Sequence, residues 1–536
     1  MNKKIFNLPD YLTFALLTVL SYSVLVYCLT IWFSSGDWHK NPILLTLLSF
    51  VFLSKIAVSQ LRWLLLPFMT KPEAMEPKSG WRVGVATTFV PGAESIEMLE
   101  ETVRSLISMD YPHDTWVLDE GDDAEVKALC FSLGAFYFSR KNLPEYQTET
   151  GKFQARSKHG NYNSWLTEVG LKKYDLITTF DPDHIPAPNF LTEALGYFND
   201  PEIGYVQSAQ VYYNQPASFI ARGAAEETYE YYSATQMFCH TMGYPIVTGC
   251  HTTHRAEALE QVGGLAAHNA DDLLITLFYR TSGWKGVYVP KILARGLTPV
   301  DWDGYLKQQI RWARSVLDIK LWIHPKMVKK LGVKEAVVSV LHGFYYLQGL
   351  TTFVLLLLLA FMLATGILSQ AVNFFVSKNF LLLVTVSLLC TFYRQRFYLD
   401  RKREWGLHWR AGVLQVAKYP YLLLALFLVI LNRRFEYSIT DKLRRSSRSY
   451  KPFLPHLFMA AVVGSGWIVG IGLGHTIPTV LHIAAAATVI GTVLLTSTGY
   501  IRFPKPYDPA LSARVGMAEL TVNAQPELQK AANRVL

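Results

Sequence analysis

Residues 175–184 read Asp-Leu-Ile-Thr-Thr-Phe-Asp-Pro-Asp-His, and the reading of this stretch settles the fold class of the middle of the chain. Residues 176–180 are apolar or threonine, the pattern of a short strand buried on both faces. The strand delivers two carboxylates, Asp181 and Asp183, with Pro182 between them. Carboxylates two residues apart at a strand exit can hold a hard divalent cation, which in turn can bridge diphosphate oxygens. Asp and Pro also make turns, so a plain turn competes for the same residues.

Working outward, similar runs recur at 83–89, 115–118, 204–207 and 286–289, with helical periods over 97–108 and 161–170. This alternation predicts an α/β domain with a largely parallel sheet, in which ligands bind beyond the carboxyl ends of the strands. At one such end stands Asp119-Glu120-Gly121-Asp122-Asp123, which taken alone reads better as a turn than as a site. Lys158, Gly160, Asn161 and Asn163 lie just upstream of the 176–180 strand and are candidates to contact a diphosphate or a sugar.

A third cluster, Asn269-Ala270-Asp271-Asp272, precedes a helical stretch over 273–281 and follows Thr248-Gly249-Cys250-His251 and a Gly263-Gly264 turn. A carboxylate there is either a helix cap or a general base for an attacking hydroxyl. The fourth is Gln308-Gln309-Ile310-Arg311-Trp312 in an amphipathic stretch. Arg can pair bidentately with phosphate and a Trp face can stack on a sugar, although any membrane-adjacent helix carries Arg and Trp.

Composition supplies the setting. Of 536 residues, 51% are apolar, and mean hydropathy is +0.17. The apolar excess lies before residue 70 and beyond residue 340. Six spans are expected, at about 13–33, 42–68, 344–368, 374–393, 455–474 and 477–501. The first is read as a retained helix rather than a signal peptide. Lys55 and Arg62 interrupt the second and are expected to snorkel. Residues 411–431 are flanked by basic clusters on both sides (Arg394 to Arg410 and Arg433 to Lys451). The positive-inside rule places both in the cytoplasm, so this segment is expected to lie in the interface. The net charge of +9 is read as basic cytoplasmic loops, and nucleic-acid binding is not expected. Five scattered cysteines offer no C-x-x-C pair, so neither disulfides nor a structural zinc site is expected.

In order, the clusters form D…DxD…D…QxxRW between membrane segments, which resembles the processive family 2 inverting glycosyltransferases: cellulose, curdlan, chitin and hyaluronan synthases. The resemblance spans about residues 10–505 and implies a GT-A glycosyltransferase domain inserted between transmembrane α-helices, with about six spans plus interfacial helices. The implied division is 1–70 (two spans), 71–300 (GT-A domain), 301–340 (interfacial helices with QxxRW), 341–395 (two spans), 396–452 (interfacial helix and gating-like loop), 453–501 (two spans) and 502–536 (tail).

By the same resemblance Asp272 is the catalytic base, and Asp183 with Asp181 holds Mg2+ or Mn2+. Asp119, Lys158, Asp181, Gln308 and Arg311 bind the nucleotide-sugar donor. Trp312, Gly249, Cys250 and His251 meet the acceptor. Tyr437-Ser-Ile-Thr440-Asp-Lys442 resembles the FxVTxK gating loop, with Tyr437 in place of Phe, which adds Thr440 and Lys442 to the donor set. The implied partners are a UDP-sugar, the nascent polysaccharide and the bilayer, with accessory export proteins or a second copy of the chain as further candidates. The implied location is the plasma (inner) membrane with the catalytic domain in the cytoplasm. Glucose is the expected sugar; N-acetylglucosamine, glucuronate and a lipid-phosphate acceptor are the alternatives. The sequence departs from the family at 88–92, at Glu120, at Asp271 and at His251. Arg444 and Arg448 form R-x-x-x-R without a PilZ-like β-domain after them, so regulation by cyclic di-GMP is not expected.

Overall fold

The computed structural model describes residues 2–34, 38–433 and 449–498. Its centre is a seven-stranded sheet: β1 (Val83–Phe89), β2 (Asp114–Asp119), β3 (Phe136–Phe138), β4 (Leu176–Phe180), β5 (Ile203–Ser208), β6 (Thr252–Arg255) and β7 (Lys285–Val289). The spatial order is β7-β5-β6-β4-β1-β2-β3. Every pairing is parallel except those of β6, which runs antiparallel to both its neighbours. The five expected strands are present, and the sheet is largely parallel.

β6 escaped the hydropathy reading because it is Thr-Thr-His-Arg, yet all four residues are buried. Each polar group finds an internal partner, which is what makes burial tolerable. Thr253 Oγ1 meets Thr178 Oγ1 at 2.9 Å, His254 Nδ1 meets the Tyr279 hydroxyl at 3.0 Å, and Arg255 donates to the carbonyls of Ile203, Phe198 and Asp200. Because Thr252 pairs with Thr179, the start of β6 lies where β4 ends. Residues 249–251 therefore sit beside Asp181, where a parallel strand would have put its far end.

Among the described residues, six helices are long and apolar enough to cross a membrane: Leu8–Phe33, Pro42–Phe68, Val333–Thr365, Lys378–Phe397, Lys451–Gly472 and Thr479–Thr498. The third contains a break at Gly343, where φ is +97°. The third and fifth approach closely through glycine: a Cβ on Gly466 or Gly470 would come within 2.7 Å of the Ala360 carbonyl oxygen or 2.0 Å of that of Leu363. Arg62, near the end of the second, has an acidic partner. It lies 3.2 Å from Glu230, which also lies 3.4 Å from Arg394, so the acid of the α/β domain neutralises cations of two membrane helices. Lys55 stays exposed.

Residues 409–430 form two helices, Trp409–Ala417 and Tyr419–Ile430, bent by 44°. Counted as one span, they would make a seventh. The second packs Leu422 and Ala425 on Ile310 and Ala313 of the helix Trp302–Asp318, which carries QxxRW. At the bend the buried Lys418 ammonium donates to Glu227 at 2.7 Å and to Gln309 at 3.1 Å, while Tyr305 donates to the other Glu227 oxygen at 2.8 Å.

Removing one partner of a buried ion pair leaves the other uncompensated. Lys418→Ala should therefore cost about 3–5 kcal/mol. Thermal unfolding of detergent-purified protein checks this. Adding Glu227→Gln to Lys418→Met should recover part of the loss.

Candidate active site

The strand ends build the site. Asp181 follows β4, its carboxylate accepting from the Lys158 ammonium at 2.5 Å and its backbone N–H donating to Cys250 Sγ at 3.1 Å. Lys158 opens the helix Lys158–Trp165, which Ser157 caps, and also donates to the Gly249 carbonyl at 2.8 Å. Burial opposes its charge most strongly, but Asp181, Tyr162, Asp271 and Cys250 together outweigh it and raise the pKa well above the ordinary lysine value.

Asp183 is buried, with His184 Nδ1 3.0 Å from its Oδ1. Burial disfavours a charged His184, but Cys250 and Asp183 offset it and push the imidazole pKa up to about 10. Single donor atoms of Asp181, Asp183 and His184 lie within 4.8 Å of one another. The two carboxylates suit an ion of the Mg2+ or Mn2+ type. His184 was not singled out from the sequence, although it directly follows the carboxylate pair.

Asp272 stands in the first turn of the helix Asp271–Thr281, its Oδ1 accepting from Leu273 N at 2.7 Å. It lines a small cavity together with Lys158, Gly249, Asp271, Tyr162 and His254. Gly249 has φ +78°, and a Cβ there would stand 3.2 Å from Asp272 Oδ2. Burial first, and then the charge of Asp271, pushes the Asp272 pKa up to about 7. A carboxyl poised near neutrality in a cavity is suited to taking a proton.

Other sequence candidates take supporting places. Asp119 is fully buried and spends its carboxylate on its own loop, accepting from Gly121 N, Asp123 N and the Tyr137 hydroxyl at 2.8, 2.5 and 2.9 Å. The turn reading holds there. Glu120 is paired with the buried Arg140 at 2.7 Å. Asn161 donates to the Leu118 carbonyl and Asn163 clamps Leu265, so both shape loops rather than face the cavity. A Cβ on Gly160 would lie 2.2 Å from the Gln154 carbonyl oxygen, a close backbone approach.

Cys250 and His251 were expected to meet an acceptor, but both are buried behind the cavity. Antiparallel β6 draws them inward, with the His251 ring centroid 4.6 Å from that of His184 and its backbone at φ +56°. Gly249 alone of the three lines the cavity. On the QxxRW helix, Gln308 and Arg311 are half-buried and Trp312 is 37% exposed. Thr440, Lys442 and the R-x-x-x-R pair lie outside the described residues.

A mixed sheet with carboxylates at its strand ends, set among membrane helices, is the architecture of a GT-A glycosyltransferase. Residues 84–315 match the family described as "Glycosyltransferase like family 2". Among curated proteins the chain is 27% identical over 281 residues to "Cellulose synthase catalytic subunit (UDP-forming)" of Xanthomonas axonopodis pv. citri, a match covering 48% of this chain and 35% of that one. It is 22% identical over 417 residues to "Cellulose synthase 2" of Novacetimonas hansenii, covering 72% and 24%. The matches thus span only about a third or less of these relatives' length. Among solved structures, the mannosyltransferase PcManGT from Pyrobaculum calidifontis, in complex with GDP-Man and Mn2+, shares the fold. The TM-score is 0.51 at 17% identity, covering 74% of this chain and 99% of that one.

Gly249→Ala should strain a left-handed backbone position by about 1 kcal/mol and crowd Asp272. Spectroscopic titration should show the Asp272 pKa moving, with thermal unfolding changed by no more than a few degrees.

Proposed function

We propose that this protein is a membrane-embedded processive polysaccharide synthase. It transfers a hexose, glucose foremost, from a UDP-sugar to a growing β-glycan with inversion, and passes the polymer through its own membrane helices. The observation that carries the reading is Asp272, a carboxyl poised near neutrality in the same cavity as Lys158, which is itself bound to Asp181. The curated relatives' names support UDP as the product and glucan as the polymer.

Asp183 and Asp181 would hold Mg2+ or Mn2+, which when bound neutralises charge on the departing diphosphate. Lys158 places a fixed positive charge beside the same position. Asp272 accepts the proton of the acceptor hydroxyl as the oxygen attacks the anomeric carbon from the face opposite the diphosphate. One such displacement turns an α-linked donor into a β-linked product. Trp312 offers its exposed face as a floor for the terminal acceptor sugar. Arg311 and Gln308 lie on the same helix and bind the donor phosphates, and Thr440 and Lys442 belong to the same donor set. The catalytic domain lies in the cytoplasm of a cell whose plasma membrane holds the spans, and residues 409–430 rest in the interface. Basic residues at 394–410 support that side.

Asp272→Asn should lower sugar transfer by about 10²–10⁴-fold while UDP binding persists. UDP release across a panel of UDP-sugars, followed by linkage analysis of the product, measures this; polymer made by Asp272→Asn would refute the base. The rate should rise as pH increases through about 7, because the raised Asp272 pKa leaves the base protonated below it. In sealed vesicles with the catalytic domain outside, polymer should accumulate in the lumen; polymer found only outside would rule out the channel.

A further inference from the structure

In the proposed reaction the base and the acceptor floor stand on different elements. Asp272 lies in the helix Asp271–Thr281 and Trp312 on Trp302–Asp318, and no sequence adjacency fixes their separation. The loop between β6 and Asp271 is held at two points. Gly263 and Gly264 enter it at φ +90° and +97°. Fully buried Asn163 then clamps Leu265 through both backbone groups, its Oδ1 accepting from Leu265 N at 2.8 Å and its Nδ2 donating to the Leu265 carbonyl at 2.9 Å.

The second point is His268. Its Nδ1 accepts from Ala270 N at 3.0 Å, and its Nε2 lies 3.0 Å from Asp318 Oδ2. A neutral imidazole carrying its proton on Nε2 satisfies both bonds at once. Asp318 ends the QxxRW helix, and seven residues, about two helical turns, separate it from Arg311. The hydrogen bond from His268 holds the Asp318 carboxyl below its ordinary range. The His268 side chain is 13% exposed and that of Asp318 26%, and neither lines the cavity of Asp272. One imidazole thus ties the backbone just before Asp271 and Asp272 to the helix that carries Trp312.

We propose that His268 is a positioning residue: with Asp318 it sets the distance from Asp272 to the acceptor floor, and so governs turnover rather than donor binding. This rests on the reaction proposed above. A 1 Å misplacement of a reacting group is enough to cost about a hundredfold in rate.

The test uses the purified full-length chain, with UDP release measured against UDP-glucose concentration. In His268→Ala and Asp318→Ala, kcat should fall about tenfold to a hundredfold while donor KM stays within about twofold. The double variant should be no worse than either single one, because both remove the same strut. Asp318→Asn keeps an acceptor oxygen for Nε2–H and should retain most of the turnover. Wild-type kcat in His268→Ala, equal losses in Asp318→Asn and Asp318→Ala, or additive losses in the double variant would each overturn the assignment. Wild-type activity in the same assay reports on the reaction itself, separately from these ratios. Amide hydrogen exchange gives a readout free of activity: His268→Ala should speed exchange across residues 265–272 and leave the β-sheet unchanged. Unaltered exchange in that segment would also reject the strut.

Discussion

The site depends on one half-buried ammonium. Lys158 reaches Asp181 at the end of β4 and the Gly249 carbonyl ahead of β6, so a single cation joins three chain segments. Around it lie Asp181, Asp183, Asp271 and Asp272, a concentration of negative charge that burial would otherwise penalise heavily. The arrangement divides the carboxyls into two kinds. Asp181 is paired with the Lys158 ammonium, while Asp272 is buried beside Asp271 and its pKa is pushed up to about 7. Separating neighbouring carboxyls in this way lets one end of the cavity hold positive charge and the other take a proton.

A second set of charges sets the domain on the membrane helices. Glu226, Glu227 and Glu230 stand on the helical segment that follows Ser218. Glu226 meets Arg410 at 3.1 Å, Glu227 meets Lys418 at 2.7 Å, and Glu230 meets Arg62 and Arg394. Each acid therefore answers a cation from a different part of the membrane region. Lys418 also contacts Gln309, so the bent helix pair, the QxxRW helix and the acidic segment meet at one junction. Buried ion pairs contribute little net stability, but their geometry is demanding, and that suits a contact which must fix an angle between two bodies.

The sequence carried much of this. Strands such as Leu176–Phe180 and Val83–Phe89 are apolar runs of strand length, and local pattern is enough to find them. All six membrane helices were legible for the same reason, since twenty apolar residues have few other uses. β6 was not legible, because its polar side chains are satisfied by partners 25 to 75 residues away. The partner of Arg62 was not legible, because the acid that neutralises it lies in another domain. Asp119 follows an apolar run and Asp272 precedes one, and neither pattern by itself tells a turn from a site. The first turns its carboxylate onto its own loop, and the second faces a cavity.

By itself the sequence determined the α/β class, the membrane setting, and which carboxylates end strands, because those features follow from local hydropathy and spacing. Only the tertiary structure decided which of them share a cavity. The antiparallel insertion of β6 brings Gly249 against Asp272 and draws Cys250 and His251 out of reach. The His268–Asp318 bond crosses 50 residues, and the Lys158–Gly249 bond crosses 91. Such pairings are set by sheet order and helix packing, and no local pattern in the chain encodes a distance between residues so far apart.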